Sequence, residues 1–351
     1  MNKKEITSNN SSNKGSYTEE ILTEYFRSLG YFAVRGVPVM SGSSEVTDID
    51  IWLYNKPSII SRERINVDIK NKKRAQAMER IVWAKGVQHM FNFDKCVVAT
   101  TDKRIDVQEF GLKHDVVVLH GDFLKKVEET EKLKLTLSTR LFEEEFLTLF
   151  ELDGMGKLSG DWKSKIIRCK ECLVENLDFN SISETLENIN FFIESWLTAT
   201  TNKHIAIRGI YFCVSVLFIK IDYLMKDMAF KDEKEKMVIL KDGFKYGRND
   251  TKLIKQLIDV LKEPLREIFK VDSSALSAWV DKELDSEANT IISEYFAPNK
   301  SQGVLFELSK KYLEFAYSKT VIAPKSLDVS MKSPLLLLMD YFGFDRKRFN
   351  D

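Results

Sequence analysis

Two short stretches of alternating apolar and polar residues constrain the fold more than any other feature of the sequence. Residues 48–53 read DIDIWL and residues 65–70 read INVDIK, and turn-forming residues flank both. Alternation with a period of two predicts β-strands. Because residues two apart on a strand point to the same face, each strand is expected to carry charged side chains on one face and aliphatic side chains on the other.

The charged faces of these two strands are candidates for a functional site. Asp48 and Asp50 share a face of the first strand, and Asp68 and Lys70 share a face of the second. If the strands pair, three carboxylates and one ammonium group meet beside a hydrophobic sheet, where like charges repel strongly. A divalent cation would relieve that repulsion, and carboxylate oxygens suit Mg²⁺. The alternative is a solvated polar face of an amphipathic hairpin, but aspartate is disfavoured in strands, so three aspartates favour a site.

Composition limits the class of protein. A chain of 351 residues predicts two domains, and an apolar fraction of 44% is sufficient for their cores. The 53 basic residues balance the 53 acidic residues, so contact with a nucleic acid requires a local basic patch. Four cysteines in so long a chain are typical of a reducing cytoplasm. The longest apolar run, residues 209–219, is too short to cross a bilayer and predicts a buried helix, so no membrane partner is expected.

The order of predicted elements indicates an α/β domain followed by a helical domain. Residues 1–15 are predicted to be a flexible leader, and residues 16–126 an α/β domain with a mixed central sheet flanked by helices. Residues 127–351 show helical periodicity without a convincing strand and are predicted to form an all-α domain for recognition or assembly. Four tryptophans in apolar stripes are predicted to be core residues rather than stacking platforms for nucleobases: Trp83, Trp162, Trp196 and Trp279.

The boundaries of the predicted elements follow from the same periodicity. The α/β domain is expected to contain a helix at 17–29, strands at 31–39, 48–53 and 65–70, a helix at 75–91, a strand at 95–101, a helix at 105–114, a strand at 116–119 and a helix from 121. The helical domain is expected to contain helices at 127–152, 161–178, 182–197, 205–228, 251–269, 274–295, 304–317 and 334–344.

The region from residue 15 to about residue 125 matches an ordered set of motifs. They are a helix that carries Glu19, TDIDI at 47–51, VDIK at 67–70 with a basic turn and a helix after it, VVATT at 97–101, and VVVLHGDFL at 116–124. In this order and at these spacings the region resembles the PD-(D/E)xK nuclease superfamily, and within it the restriction-endonuclease-like Mrr and Holliday-junction-resolvase groups. The resemblance implies a restriction-endonuclease-like α/β fold for about a third of the chain.

The resemblance implies a role for each matching position. Asp50 would be the carboxylate of the first catalytic strand, Asp68 the second metal ligand and Lys70 the motif lysine. Glu19 would be the helix carboxylate that completes the site in resolvase-like members. Asp48 is either a further metal ligand or a competitor for the role of Asp50. Many Mrr-like members have Glu or Gln where Asp68 stands, and this departure leaves the subfamily open.

The chemistry of phosphodiester hydrolysis extends this set of residues. Hydrolysis needs a hydroxide near neutral pH and stabilisation of an oxyanionic transition state, and a bound Mg²⁺ supplies both. The Ile69 carbonyl oxygen is a candidate third metal ligand beside the two aspartates, and Mn²⁺ is expected to substitute for Mg²⁺. The Lys70 ammonium group is expected to orient the attacking water and to stabilise developing charge. Lys72, Lys73 and Arg74 either contact DNA phosphates or form a solvated basic turn.

On this basis the chain is expected to be a Mg²⁺-dependent DNA endonuclease of the cytoplasm that acts in restriction or genome defence. One site of this kind cuts one strand, so a double-strand cut requires a homodimer or two sequential events. The helical domain is a candidate for docking a partner subunit. Two alternatives stay open: a catalytically silent nucleic-acid-binding or assembly protein on a nuclease fold, and a nuclease with the same chemistry that is specific for junctions or RNA.

Overall fold

A mixed five-stranded sheet with helices on both faces organises the N-terminal part of the chain. The computed structural model describes residues 3–42, 44–71, 76–131, 141–146, 162–175, 177–199, 201–247, 260–261, 264, 268 and 287–350. The elements of the sheet region are α1 (Lys3–Ser28), β1 (Phe32–Ser41), β2 (Ser44–Asn55), β3 (Glu63–Lys70), α2 (Ala77–Met90), β4 (Lys95–Thr100), α3 (Ile105–Lys113), β5 (Val117–Leu119) and α4 (Gly121–Glu131).

The strands lie side by side in the order in which they occur in the chain. Strands β1, β2 and β3 pair antiparallel, whereas β3, β4 and β5 pair parallel. Helix α2 connects β3 to β4, and helix α3 connects β4 to β5, as parallel pairing requires. The predicted α/β layer with a mixed sheet is confirmed at this level.

Alternating side chains of the central strands supply two separate hydrophobic layers. On β4, Val97 and Ala99 pack with residues of α1 and α4, whereas Cys96 and Val98 pack with residues of α2 and α3. Because both faces are covered, β4 is almost entirely apolar rather than alternating apolar and polar. The amphipathic strands β2 and β3, by contrast, carry the charged residues of the sequence motifs.

Helix α1 is longer than the sequence predicts. It begins at Lys3 rather than near Tyr17, so most of the predicted flexible leader is helical. Residues 3–14 are polar except for Ile6 and include no proline, and extending a helix that has already formed costs little free energy per residue. The predicted end is correct: Gly30 follows the helix with a φ of +92°, a conformation that glycine adopts without steric cost.

The contacts between residues divide the chain into two units. The first comprises Met1–Asn176 and Leu313–Thr320, and the second comprises Leu177–Tyr312 and Val321–Asp351. The unit that contains the sheet therefore continues past residue 126, where the sequence places the end of the nuclease-like domain. Its additional elements include helical residues 141–146 and helix α5 (Trp162–Val174), which packs against β1.

The second unit is built from helices, as the periodicity of the sequence predicts. Within the described residues they are α6 (Phe179–Thr198), α7 (Lys203–Met225), α8 (Glu233–Tyr246), α9 (Glu287–Phe296), α10 (Asn299–Tyr317), of which Leu313–Tyr317 belongs to the first unit, and α11 (Val329–Tyr341). Helix α8 was not among the predicted helices, although Asp232 and Glu235 form a capping box at its start. Most of the predicted helix at 251–269, of which residues 260–261, 264 and 268 are described and helical, and much of those at 127–152 and 274–295 fall outside the described residues.

Helix α7 is the core of the helical unit. Within the described ranges, the segment Lys203–Met228 alone is long and apolar enough to cross a membrane, and 94% of its most apolar window is buried inside the protein. Its fully buried Lys220 donates hydrogen bonds to the Ser181 carbonyl and the Thr185 hydroxyl, so the charge is solvated by neutral oxygens. The segment is therefore interpreted as a buried core helix, in agreement with the sequence.

Gly121 provides a test of the packing around the end of the sheet. A Cβ at this position, the first residue of α4, would lie 2.5 Å from the Thr101 carbonyl oxygen and 3.0 Å from its carbon. We expect Gly121→Ala to lower the free energy of unfolding by about 1 to 3 kcal/mol, because backbone atoms cannot move aside as a flexible side chain can. Chemical denaturation monitored by circular dichroism measures the change.

Gly86→Ala is the matched control. Gly86 lies in the middle of α2, and a Cβ there meets nothing within 4 Å. The substitution is expected to stabilise the protein by about 0.5 to 1 kcal/mol through helix propensity. Equal effects of the two substitutions would contradict the close approach of α4 to Thr101.

Candidate active site

Asp50 is held against the strand that carries the second sequence motif. The register of the β2–β3 ladder runs to the pair Ile51 and Val67. Just beyond it, Oδ2 of Asp50 accepts a hydrogen bond from the Ile69 backbone N–H at 2.5 Å. A side-chain carboxylate thus binds the backbone of Asp68-Ile69-Lys70, and this contact brings the two sequence motifs together.

Three carboxylates from α1 and β2 interact electrostatically at this position. Burial raises the pKa of Asp50 to about 7; the hydrogen bond from Ile69 opposes this shift, and the negative charges of Glu19 and Asp48 add to it. Burial also raises the pKa of Glu19, which Arg35 opposes and Asp48 reinforces. Glu19, Asp48 and Asp50 are referred to below as the acidic cluster.

Asp68 lies on the neighbouring strand and is bound by an arginine. Its side chain is buried, and it accepts a hydrogen bond from Nε of Arg80 at 2.7 Å, while its second oxygen pairs with Nη2 of the same guanidinium. Arg80 also lowers the pKa of Asp50. The positive charge of Arg80 on α2 therefore stabilises the ionised forms of both Asp50 and Asp68.

The end of β3 places the remaining motif residues. Lys70 is the last residue of β3 and is partly exposed, opposite Thr100 of β4. Asn71 follows it and donates a hydrogen bond to the Thr18 hydroxyl at 2.7 Å, which ties the end of β3 to α1 one residue before Glu19. Three predicted DNA contacts lie outside the described residues: Lys72, Lys73 and Arg74.

The carboxylates of the acidic cluster and of Asp68 are suitable ligands for a hard divalent cation. They are not, however, gathered into one metal-binding group. Carboxylates whose mutual repulsion raises a pKa are stabilised by a cation, and oxygen donors suit Mg²⁺ or Mn²⁺. Among the described residues, however, no three His, Cys, Asp or Glu side chains are grouped so as to hold a metal ion. The pairing of Asp68 with Arg80 is one reason, because it directs both oxygens of Asp68 to the guanidinium.

An ionic network of largely buried side chains lies next to Glu19. Arg35 of β1 hydrogen bonds to the Ser16 carbonyl and hydroxyl and to Oε2 of Glu143, and its Nε lies 3.9 Å from Oε2 of Glu19. Lys170 of α5 donates to the Arg35 carbonyl at 2.9 Å and to Oε1 of Glu143 at 3.0 Å. The network joins α1, β1, α5 and the helical residues 141–146. It therefore positions Glu19, the carboxylate that α1 contributes to the acidic cluster.

These supporting residues are not among the site residues that the sequence predicts. Arg80 could have been found, because it lies beside the buried positions Ala77, Ile81 and Ala84 of α2, where an arginine needs a partner. Arg35 stands in a strand whose neighbours are apolar, which is a similar signal. Glu143 and Lys170 carry no such signal.

The tryptophan prediction was wrong at Trp83 and correct at Trp162 and Trp196, which are buried. Trp83 is 45% exposed, because Ala77, Ile81 and Ala84 form the inward stripe of α2 and Trp83 lies off that stripe. Trp279 lies outside the described residues.

Comparison with known proteins adds no assignment. The chain matches no protein-family model, no curated protein and no solved structure. The functional interpretation therefore depends on the geometry and electrostatics of the site.

The raised pKa of Asp50 predicts a pH-dependent effect of Asp50→Asn on stability. A carboxyl group whose pKa is higher in the folded state than in the unfolded state destabilises the fold as pH rises from about 4 to about 7. Asparagine keeps an oxygen for the Ile69 N–H but carries no charge. With chelator present, we expect Asp50→Asn to be more stable than wild type by about 1 to 4 kcal/mol at pH 8, and the difference to shrink towards pH 5.

Chemical denaturation at pH 5 and pH 8 measures this difference. Glu109→Gln, which neutralises an exposed carboxylate on α3, is the matched control and should show little pH-dependent gain. A constant difference between Asp50→Asn and wild type at both values of pH would contradict the raised pKa of Asp50.

Glu143 is predicted to stabilise the ionic network. Burial alone would raise its pKa, but Lys170 and Arg35 together lower it below the ordinary value. We expect Glu143→Gln to lower the free energy of unfolding by about 1 to 3 kcal/mol at pH 7, because two buried cations lose their anion. The loss should diminish as pH falls below about 4.3, where the unfolded-state glutamate is protonated.

Glu175→Gln is the control for this measurement. Glu175 pairs with Arg168 at the surface, and both side chains are well exposed. The control should change stability by less than about 1 kcal/mol. Comparable losses from the two substitutions would show that the network around Glu143 is no stronger than a surface ion pair.

Proposed function

We propose that the protein is a divalent-metal-dependent nuclease that hydrolyses phosphodiester bonds in DNA. The observation that carries the proposal is the hydrogen bond from the Ile69 N–H to Asp50. It brings the carboxylate of the first strand onto the Asp68-Ile69-Lys70 segment, with Glu19 close enough to influence the pKa of Asp50. This convergence of a helix carboxylate, a strand carboxylate and an Asp-x-Lys segment is the arrangement that the resemblance to PD-(D/E)xK nucleases implies.

The proposed roles of the residues follow from their chemistry. Asp50, Asp68 and the Ile69 carbonyl would hold Mg²⁺ or Mn²⁺, with Glu19 or Asp48 as a further ligand. When bound, the cation polarises a phosphoryl oxygen and lowers the pKa of a bound water. The Lys70 ammonium group at the end of β3 would orient the attacking water and stabilise the charge that develops on phosphate.

The biological setting is part of the same proposal. A bacterial or phage defence role follows from the resemblance, and a cytoplasmic location is supported by four cysteines that form no disulfide. One site cuts one strand, so cleavage of both strands would require a homodimer or two sequential cuts. The helical unit would provide recognition, assembly or docking of a partner subunit.

A second candidate function has its own supporting observation. Asp68 is engaged by Arg80 through both oxygens, an arrangement that would also suit a protein which has retained the fold without the reaction. Such a protein would bind nucleic acid or assemble with a partner and would not cleave. A nuclease specific for junctions or RNA differs from the main proposal only in its substrate.

Cleavage assays test the proposal. Supercoiled plasmid, linear duplex, single-stranded DNA, a four-way junction and RNA are incubated with wild type and Mg²⁺, Mn²⁺ or EDTA. We expect metal-dependent cleavage of DNA by wild type, and a loss of about 100-fold or more in Asp68→Asn and Lys70→Ala, because each removes a group that acts in the transition state.

Glu109→Gln and Lys113→Ala are the matched controls, since each removes a similar charge from the exposed surface of α3. Both should cleave at the wild-type rate. Binding of DNA without cleavage by wild type would favour the silent protein, whereas preference for the junction or RNA would favour the third alternative. Cleavage that survives both active-site substitutions would place the activity elsewhere or in a contaminant.

A further inference from the structure

Arg80 engages both carboxylate oxygens of Asp68. Its Nε donates to Oδ2 at 2.7 Å, and its Nη2 pairs with Oδ1. Two-point pairing between a guanidinium and a carboxylate is among the strongest ion pairs in proteins. Because the Asp68 side chain is only 10% exposed, water competes little with Arg80 for these oxygens. A candidate metal ligand is therefore already bound to a cation supplied by the chain.

The same guanidinium also interacts with two members of the acidic cluster. Arg80 interacts electrostatically with both Asp50 and Asp48. Partly buried carboxylates are costly unless positive charge is nearby. Arg80 supplies one positive charge beside three carboxyl groups, those of Asp48, Asp50 and Asp68, so their negative charge is only partly neutralised. A divalent cation would neutralise it further, but it would repel a guanidinium bound to the same carboxylate.

Arg80 also lies beside an aromatic ring. Trp83 lies three residues further along α2, where side chains are neighbours on a helix, and its ring centroid is 5.8 Å from the guanidinium carbon. The indole is 45% exposed, and the Arg80 side chain is itself 26% exposed. Rotation of the Arg80 side chain towards this ring would release Asp68 without any change in the backbone, and stacking on the indole would retain part of the stabilisation.

We propose that Arg80 is a resident counter-ion of Asp68, and that a divalent cation enters the site by displacing its guanidinium towards Trp83. The inference rests on the proposed function, because it concerns the same metal site. Competition of this kind lowers the apparent metal affinity by the fraction of molecules in which Asp68 is released. Arg80 is then a positioning residue that sets the metal concentration at which the site fills.

Metal binding measured without a substrate tests this inference. Chelator-treated full-length protein is titrated with MnCl₂ at pH 8, and free Mn²⁺ is followed by electron paramagnetic resonance. The variants are Arg80→Gln, which removes the charge, and Arg80→Lys, which keeps the charge but cannot pair at two points. Lys85→Gln, which removes a charge from an exposed position of the same helix, is the control.

The proposal predicts a ranked order of affinities. Arg80→Gln should bind Mn²⁺ about tenfold or more tightly than wild type, Arg80→Lys should be intermediate, and Lys85→Gln should match wild type. Mn²⁺ should also change the tryptophan fluorescence of wild type, and this change should be absent in Trp83→Phe. If Arg80→Gln does not fold, the Mn²⁺ affinity of Arg80→Lys and the fluorescence change that depends on Trp83 still test the proposal.

Two outcomes would overturn the inference in different ways. Equal or weaker Mn²⁺ binding by the Arg80 variants, with wild type binding normally, would show that Arg80 does not compete with the metal, and the proposed nuclease function would stand. Absence of Mn²⁺ binding by wild type and every variant would remove the metal site, and both the inference and the metal-dependent function would fail with it.

Discussion

The concentration of negative charge where β2 meets the end of β3 is the constraint on which the first unit depends. Glu19 and Asp50 are partly buried, Asp48 is exposed, and the three carboxylates repel one another. The pKa of Asp50 rises to about 7 as a result of burial and of that repulsion. The fold stabilises this charge with a backbone N–H from β3, an arginine from β1 and an arginine from α2. Each of these groups comes from a different element, so the elements around the sheet are held together at the site itself.

This arrangement links stability and function. Buried charged groups are weak contributors to stability, because desolvation offsets most of their attraction, yet the first unit contains Arg35, Asp68, Glu143 and Lys170 in linked pairs close to one another. A core built only for stability would use apolar residues at such positions. The helical unit also buries charged side chains: Lys220 donates to the Ser181 carbonyl and the Thr185 hydroxyl, and Lys236 donates to the side-chain oxygens of Asn299 and Gln302.

The pairing of Asp68 with Arg80 lies at the centre of the functional interpretation. It is compatible with a site that binds a metal ion by exchange for a guanidinium, and with a protein that has kept the fold and lost the reaction. Arg80 is partly exposed and lies beside an exposed indole. This position leaves space for the proposed displacement of its guanidinium.

The sequence by itself determined the strands, most of the helices and the residues that meet at the end of β3. The period-two pattern of 48–53 and 65–70 is local, and side-chain alternation follows from strand geometry wherever the strand lies. Only the tertiary structure decided which cations neutralise the carboxylates. Arg35 and Glu143 are 108 positions apart, and Lys170 reaches a carbonyl 135 positions away. Such partners are chosen by how the helices pack on the sheet, which no local periodicity encodes. The exposure of Trp83 was decided in the same way, because it depends on which face of α2 packs on the sheet.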